Sequence, residues 1–148
     1  MSQPRDGAGR TAQELKRLGQ VERGLGHHDA ALALYEQAVA ICRAVDDPLL
    51  LAHTIRHVGD IHQDAGRLDL AGPCYEEALT IYRANPQTSP LDLANTVRPF
   101  ALLKEQKGAV EEAARLWAEA RDLYASVNVA AGVAECSARL VRLGRETP

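Results

Sequence analysis

Three cations, Lys16, Arg56 and Arg98, recur at intervals of 40 and 42 residues. An ammonium and two guanidiniums held in a row can grip a carboxylate, on an acidic side chain or at a peptide's C-terminus. Other residues keep step with them. Gln13, His53 and Asn95 stand three positions before the cations; Gln20, Asp60 and Leu102 stand four after; Arg23, Gln63 and Glu105 stand seven after. On a helix these spacings share one face. Asp60 would repel a carboxylate and is placed to pair with Arg56 instead. The same residues also read as a solvated face or as ion pairs internal to the chain.

Other chemistry finds less support. His53 and His57 are four apart and could share a metal, but two imidazoles make half a zinc site. Asp60 lies on a neighbouring face and His62 lies off it, so structural or face-lining roles are favoured. His27 and His28 fall in an exposed turn. Cys42, Cys74 and Cys136 are far apart, with no Cys-x-x-Cys pair; each sits in an apolar helical pattern and reads as a buried, inert thiol. There is no Gly-rich phosphate loop, nucleophile elbow or His-Glu-x-x-His motif. No catalytic residue, metal or cofactor is therefore expected.

The chain has 148 residues and a formal net charge of −3. That is one domain's worth of chain. Its charge does not suit nucleic acid or an anionic membrane surface, which demand concentrated positive charge. No apolar run approaches the length of a membrane span, and the first residues lack the apolar segment of a signal peptide. The expected compartment is the cytoplasm. Residues 1–10 read as a flexible tail.

The elements that must position the cations repeat with them. "GHHDAALALYEQA", "GRLDLAGPCYEEA" and "GAVEEAARLWAEA" open at Gly26, Gly66 and Gly108. After each glycine come a small residue (Ala31, Ala71, Ala113), an aromatic (Tyr35, Tyr75, Trp117), an alanine (Ala38, Ala78, Ala120) and a large apolar residue (Ile41, Ile81, Leu123). Their spacing makes one helix face. Before each glycine runs a second apolar seam: Leu15, Leu18 and Gly19; Ile55, Val58 and Gly59; Val97, Phe100 and Ala101. Each unit is thus helix, Gly turn, helix. Asp29, Asp69 and Glu111 open the second helices, where a carboxylate suits free N–H groups. Asp47-Pro48 and Ser89-Pro90 read as a cap followed by the first helical residue. Pro73 is expected in the first turn of its helix. Pro99 is expected mid-helix, with a kink and an unbonded Asn95 carbonyl.

Self-similarity at this period signals a helical solenoid. The large, Leu-Gly, Gly, Ala, aromatic, Ala pattern resembles the tetratricopeptide repeat. Two copies match it in order, and the third departs at Phe100-Ala101. The resemblance implies an all-α, right-handed α-solenoid of three helix-turn-helix repeats, about residues 12–47, 49–88 and 90–128. A closing helix over 130–144 completes a single domain of residues 11–145. It further implies a non-enzymatic scaffold that binds a peptide or partner segment in a concave groove. The groove would be lined by Gln13, Lys16, Gln20, Arg23, His53, Arg56, Asp60, Gln63, Asn95, Arg98, Leu102 and Glu105. The cation row is similar to the carboxylate clamp of chaperone-tail-binding members, although Gln20 and Asp60 stand where that clamp has asparagines. Two alternatives stay open. The thinly charged last helix could pair with a second copy as a homodimer, or the groove around His53, His57 and Asp60 could take a small ligand.

Overall fold

The computed structural model describes residues 4–147, and the described residues form seven α-helices and no strand. These are α1 (Pro4–Gly24), α2 (His28–Val45), α3 (Pro48–Asp64), α4 (Leu68–Ala84), α5 (Pro90–Gln106), α6 (Val110–Ser126) and α7 (Ala130–Arg142). Helix α1 starts at Pro4, so residues 4–10, expected as tail, are helical; proline suits a first helical position because its missing N–H would have no partner there. The first three residues of that expected tail lie outside the described residues. The chain divides into two compact units, Met1–Ile81 and Tyr82–Pro148.

The first unit shows why the sequence pattern folds as it does. Ala12 of α1 packs with Ala38 and Cys42 of α2, and Leu15, Ile41, Leu50 and Leu51 close around them. Tyr35 of α2 packs with Ala31 and with Val58 and Ile61 of α3. A Cβ on Gly19 would lie 2.7 Å from the ring of Tyr35, so the bare glycine lets α1 and α2 approach. Leu18 occupies the position of the buried Val58 yet is 43% exposed. Val58 is covered by the second helix of the preceding hairpin, and among the described residues no such helix precedes α1.

At α3 and α5 the expected residues cap, whereas α2 and α6 begin without a side-chain cap bond and carry Asp29 and Glu111 only as acids in the first turn. The Asp47 side chain accepts the Leu50 N–H and that of Ser89 accepts the Asp92 N–H, with Pro48 and Pro90 directly after them. Pro73 is a correction. Helix α4 begins at Leu68, so Pro73 sits in its second turn rather than its first, and the Asp69 carbonyl has no N–H from it to accept. The helix nevertheless continues, because Ala71, Tyr75, Ala78 and Leu79 bury its inner face. Helix α5 likewise runs unbroken through Pro99.

In the second unit, Val97, Ala101 and Leu103 of α5, Ala113, Trp117 and Ala120 of α6, and Cys136 and Leu140 of α7 form the buried interior. The described chain also holds a fourth repeat turn. Gly26, Gly66, Gly108 and Gly144 have φ of 78°, 77°, 78° and 70°. At each, the following N–H bonds to the carbonyl five residues back: His27 to Glu22, Arg67 to His62, Ala109 to Lys104 and Arg145 to Leu140. Helix α7 is therefore the first helix of a fourth unit. The signal was in the sequence, since Gly144 follows Gly108 by 36 residues.

Candidate protein-binding face

In the first unit, α1 and α3 bring Lys16, Arg23, His53, Arg56, His57 and Asp60 together. Lys16 is 6% exposed, and its Nζ lies 2.6 Å from His53 Nδ1. An ammonium has only donors, so this imidazole nitrogen accepts and the His53 ring is neutral with its proton on Nε2. Arg56 Nη2 lies 3.2 Å from His57 Nε2, and a guanidinium also only donates. His57 is thus neutral as well, with its proton on Nδ1, 3.9 Å from Asp60 Oδ2. Its ring stacks on Tyr35 at 5.4 Å and meets His53 edge-on at 4.7 Å. Burial pushes the His57 imidazole down to about 2, helped by the Arg56 guanidinium beside it and by Lys16 and Arg23.

Asp60 is the acidic centre. It accepts from Tyr75 Oη at 2.6 Å and from Arg56 at 3.3 Å, with Arg23 at 4.0 Å. Burial holds its carboxyl above the usual range in spite of Arg56 and the Tyr75 hydroxyl. Arg23 reaches Asp64 at 2.7 Å. Behind the face, His62 is buried and pushed below its ordinary value by desolvation and Arg67.

A second pattern escaped the sequence reading. The aromatic on each second helix donates to a polar residue on its own first helix. Tyr35 donates to Gln20 at 2.8 Å, Tyr75 donates to Asp60 with its Oη also 2.7 Å from Gln63 Oε1, and Trp117 Nε1 donates to Glu105 at 2.6 Å. Several residues expected to face a ligand therefore satisfy a buried donor, as a Tyr or Trp at a helix crossing requires. Gln13 lies apart on exposed α1 beside Arg10, Glu14 and Arg17.

In the second unit Arg98 is engaged within the chain. Its Nε and Nη2 meet both oxygens of Glu135 on α7, at 2.5 and 2.8 Å. The pair lowers the Glu135 carboxyl and raises the guanidinium. Arg139 of α7 lies 3.7 Å from Glu105 and 5.5 Å from the Trp117 ring. Asn95 accepts from Tyr124 Oη at 2.7 Å. Leu102 is half-buried. Nothing in the sequence register marked Glu135 as the partner of Arg98.

The thiols are unlike one another. Cys42 and Cys136 are buried, whereas Cys74, expected buried, is half-exposed and donates to the Leu70 carbonyl. Burial pushes Cys74 and Cys136 up to about 11, far from a reactive thiolate. Among the described residues, no cluster of three or more His, Cys, Asp or Glu side chains is arranged to hold a metal ion. No helix among them is long and apolar enough to cross a membrane.

Hairpins joined by a left-handed glycine, with small residues at the crossing and an aromatic against them, define a helical repeat protein. The tetratricopeptide repeat family profile matches residues 10–84, about half of the chain, and the chain belongs to that family. No curated protein matches it. Solved structures share its all-α, solenoid-repeat fold. BtubC (BKLC) from P. vanneervenii superposes with a TM-score of 0.77 at 22% identity, over 94% of this chain and 63% of that one. A Podosopora anserina protein of nearly identical TPR-like repeats, described as a kinesin light chain, gives a TM-score of 0.79 at 17% identity, over 93% and 69%. The chain thus spans less than two thirds of the length of BtubC. Repeats of this family mediate protein–protein interaction.

Proposed function

We propose that the protein is a non-enzymatic scaffold that binds a peptide or partner segment on the first-helix face of its repeats. In this reading Lys16 and Arg56 of the first unit receive a carboxylate, from an acidic side chain or a C-terminus. The observation that carries it is the Lys16–His53 contact: a nearly buried ammonium directed at a neutral imidazole. Exchanging that acceptor for a carboxylate makes a charge-assisted bond, which is the stronger kind. Arg23, Arg56 and Lys16 also outnumber Asp60 and Asp64 among these residues. Arg98 already has its carboxylate in Glu135 and is a weaker candidate than the sequence suggested.

The test is affinity capture from the native lysate with wild type, a Lys16→Gln, Arg56→Gln double variant and an Arg98→Gln variant, each checked for helicity. Wild type and Arg98→Gln should retain the same partner, the double variant should lose it, and retention should fall with added salt. A partner held equally by all three, indifferent to salt, would refute the reading.

A further inference from the structure

Lys16 Nζ lies 2.6 Å from His53 Nδ1, and a contact so short leaves no room for a proton on both atoms facing each other. While the ammonium holds that nitrogen as its acceptor, the ring is neutral. A proton on Nδ1 would set two cations face to face, which costs free energy in a half-buried setting.

The titratable and charged groups around the pair in the first unit come from four helices. Helix α1 supplies Lys16 and Arg23, α2 supplies Tyr35 and Cys42, α3 supplies Arg56, His57, Asp60 and Asp64, and α4 supplies Tyr75. Burial raises both phenols and the thiol, so these stay neutral, and it holds His57 neutral as well. Three cations then remain against two carboxylates. Asp64 is engaged by Arg23, and Asp60 is shared by Arg56, Arg23 and the Tyr75 hydroxyl. The local charge therefore works against a proton on His53, and one incoming carboxylate shifts it the other way.

We propose that carboxylate binding at Lys16 is coupled to proton uptake by His53, so that this face of the first unit binds acidic peptide more tightly as the pH falls from 8 to 6. The inference rests on the reading under which Lys16 and Arg56 receive a carboxylate. The ligand takes the ammonium from the imidazole. Nδ1, no longer an acceptor, binds a proton from solvent, and the new N–H donates to the second carboxylate oxygen. Lys16 keeps its protons and the carboxylate stays ionised, so the complex gains one proton and loses none. His57 does not take this role, because its Nε2 faces Arg56 and its ring is stacked on Tyr35. The state that holds more protons is favoured at lower pH. An imidazole of ordinary proton affinity in the complex tightens binding about fourfold between pH 8.0 and 6.0, and a carboxylate beside it takes that toward about tenfold.

The probe is a capped hexaglutamate peptide, whose side chains stay ionised at both pH values. It is titrated by calorimetry into the full chain at fixed ionic strength, with helicity checked at each pH. Wild type should bind at least about fourfold tighter at pH 6.0, with a binding heat that depends on the buffer's ionisation enthalpy. His53→Gln, whose amide oxygen can still accept from Lys16, should lose the pH dependence; Asp60 is present in both proteins and cancels from the comparison. Should that variant fail to fold, the 15N shift of His53 Nδ1 in wild type reports the same event, moving to the protonated value as peptide saturates the site at pH 6.5. Binding that needs Lys16 and Arg56 but is equal at both pH values overturns the proton coupling and leaves the carboxylate site standing. A pH dependence that survives in His53→Gln, or a nitrogen shift that does not move, overturns it too. No binding at either pH, or equal binding by the Lys16→Gln, Arg56→Gln double variant, removes the carboxylate site itself and the coupling with it.

Discussion

Acidification should destabilise this protein, with the largest share from one imidazole. His57 is wedged between the Tyr35 ring, His53 and the Arg56 guanidinium, and it titrates at about 2 in place of 6.5. A folded value below the unfolded one means that the unfolded chain takes up the proton first. Stability from this residue is complete above about pH 6.5 and is lost as the pH falls from there toward 2. At pH 7.5 the unfolded imidazole is mostly neutral and the linkage is close to zero. At pH 5.0 it is almost fully protonated while the folded one is not, which costs about 2 kcal/mol. The perturbation is His57→Gln, whose amide oxygen can still accept from Arg56. The variant loses the stack on Tyr35 and starts less stable, but its stability should fall about 2 kcal/mol less between those two pH values. His62, also pushed down by burial, keeps its own acid sensitivity in both proteins. Asp60, pushed up, binds its proton earlier in the folded state and offsets part of the loss in both. Urea denaturation at pH 7.5 and 5.0 measures the difference. Equal losses in wild type and variant would refute the burial of a neutral His57.

Two further perturbations test the fold. Gly19→Ala places a methyl 2.7 Å from two atoms of the Tyr35 ring, which is buried and tied to Gln20, so overpacking should cost about 1–3 kcal/mol in urea denaturation; unchanged or increased stability would show that the helices are not held that close. Asp47→Ala removes the acceptor for the Leu50 N–H and should cost about 1 kcal/mol by the same assay, and no loss would mean that the cap contributes nothing.

The helical hairpins, their Gly turns and the caps of α3 and α5 were legible because each depends on a few neighbouring residues in a repeating register. Gly turns need a left-handed residue, crossings need a small one, and both recur in step. What the register hid was the destination of polar side chains. It placed Gln20, Asp60, Gln63 and Glu105 on a ligand face and said nothing of the aromatic donor buried beside each. A buried hydroxyl or indole N–H demands an acceptor, and the first helix supplies the nearest one. Lys16, read as a groove cation, is nearly buried because α3 sets His53 over it. Glu135 was read only as one of the few charges on the last helix, since nothing local connects α7 to Arg98 on α5.

On the proposed reading, these placements rank the copies of the repeat as carboxylate sites. A carboxylate arriving at Arg98 must displace Glu135, giving up two charge-assisted bonds to form two, so the exchange gains little. A carboxylate arriving at Lys16 displaces a neutral imidazole and gains the difference between an ionic and a neutral acceptor. The incoming group also meets Arg56, whose Nη1 lies 3.3 Å from Asp60, a longer contact than those of Arg98 with Glu135. On that reading, one row of cations in the sequence resolves into proposed sites of unequal worth, with the larger gain in the first unit. The inequality arises outside the cations themselves: a neutral His53 faces Lys16, whereas a charged Glu135 faces Arg98. Swapping those acceptors, by His53→Glu or Glu135→Gln, should therefore move the preferred carboxylate site from one unit to the other without touching a single cation.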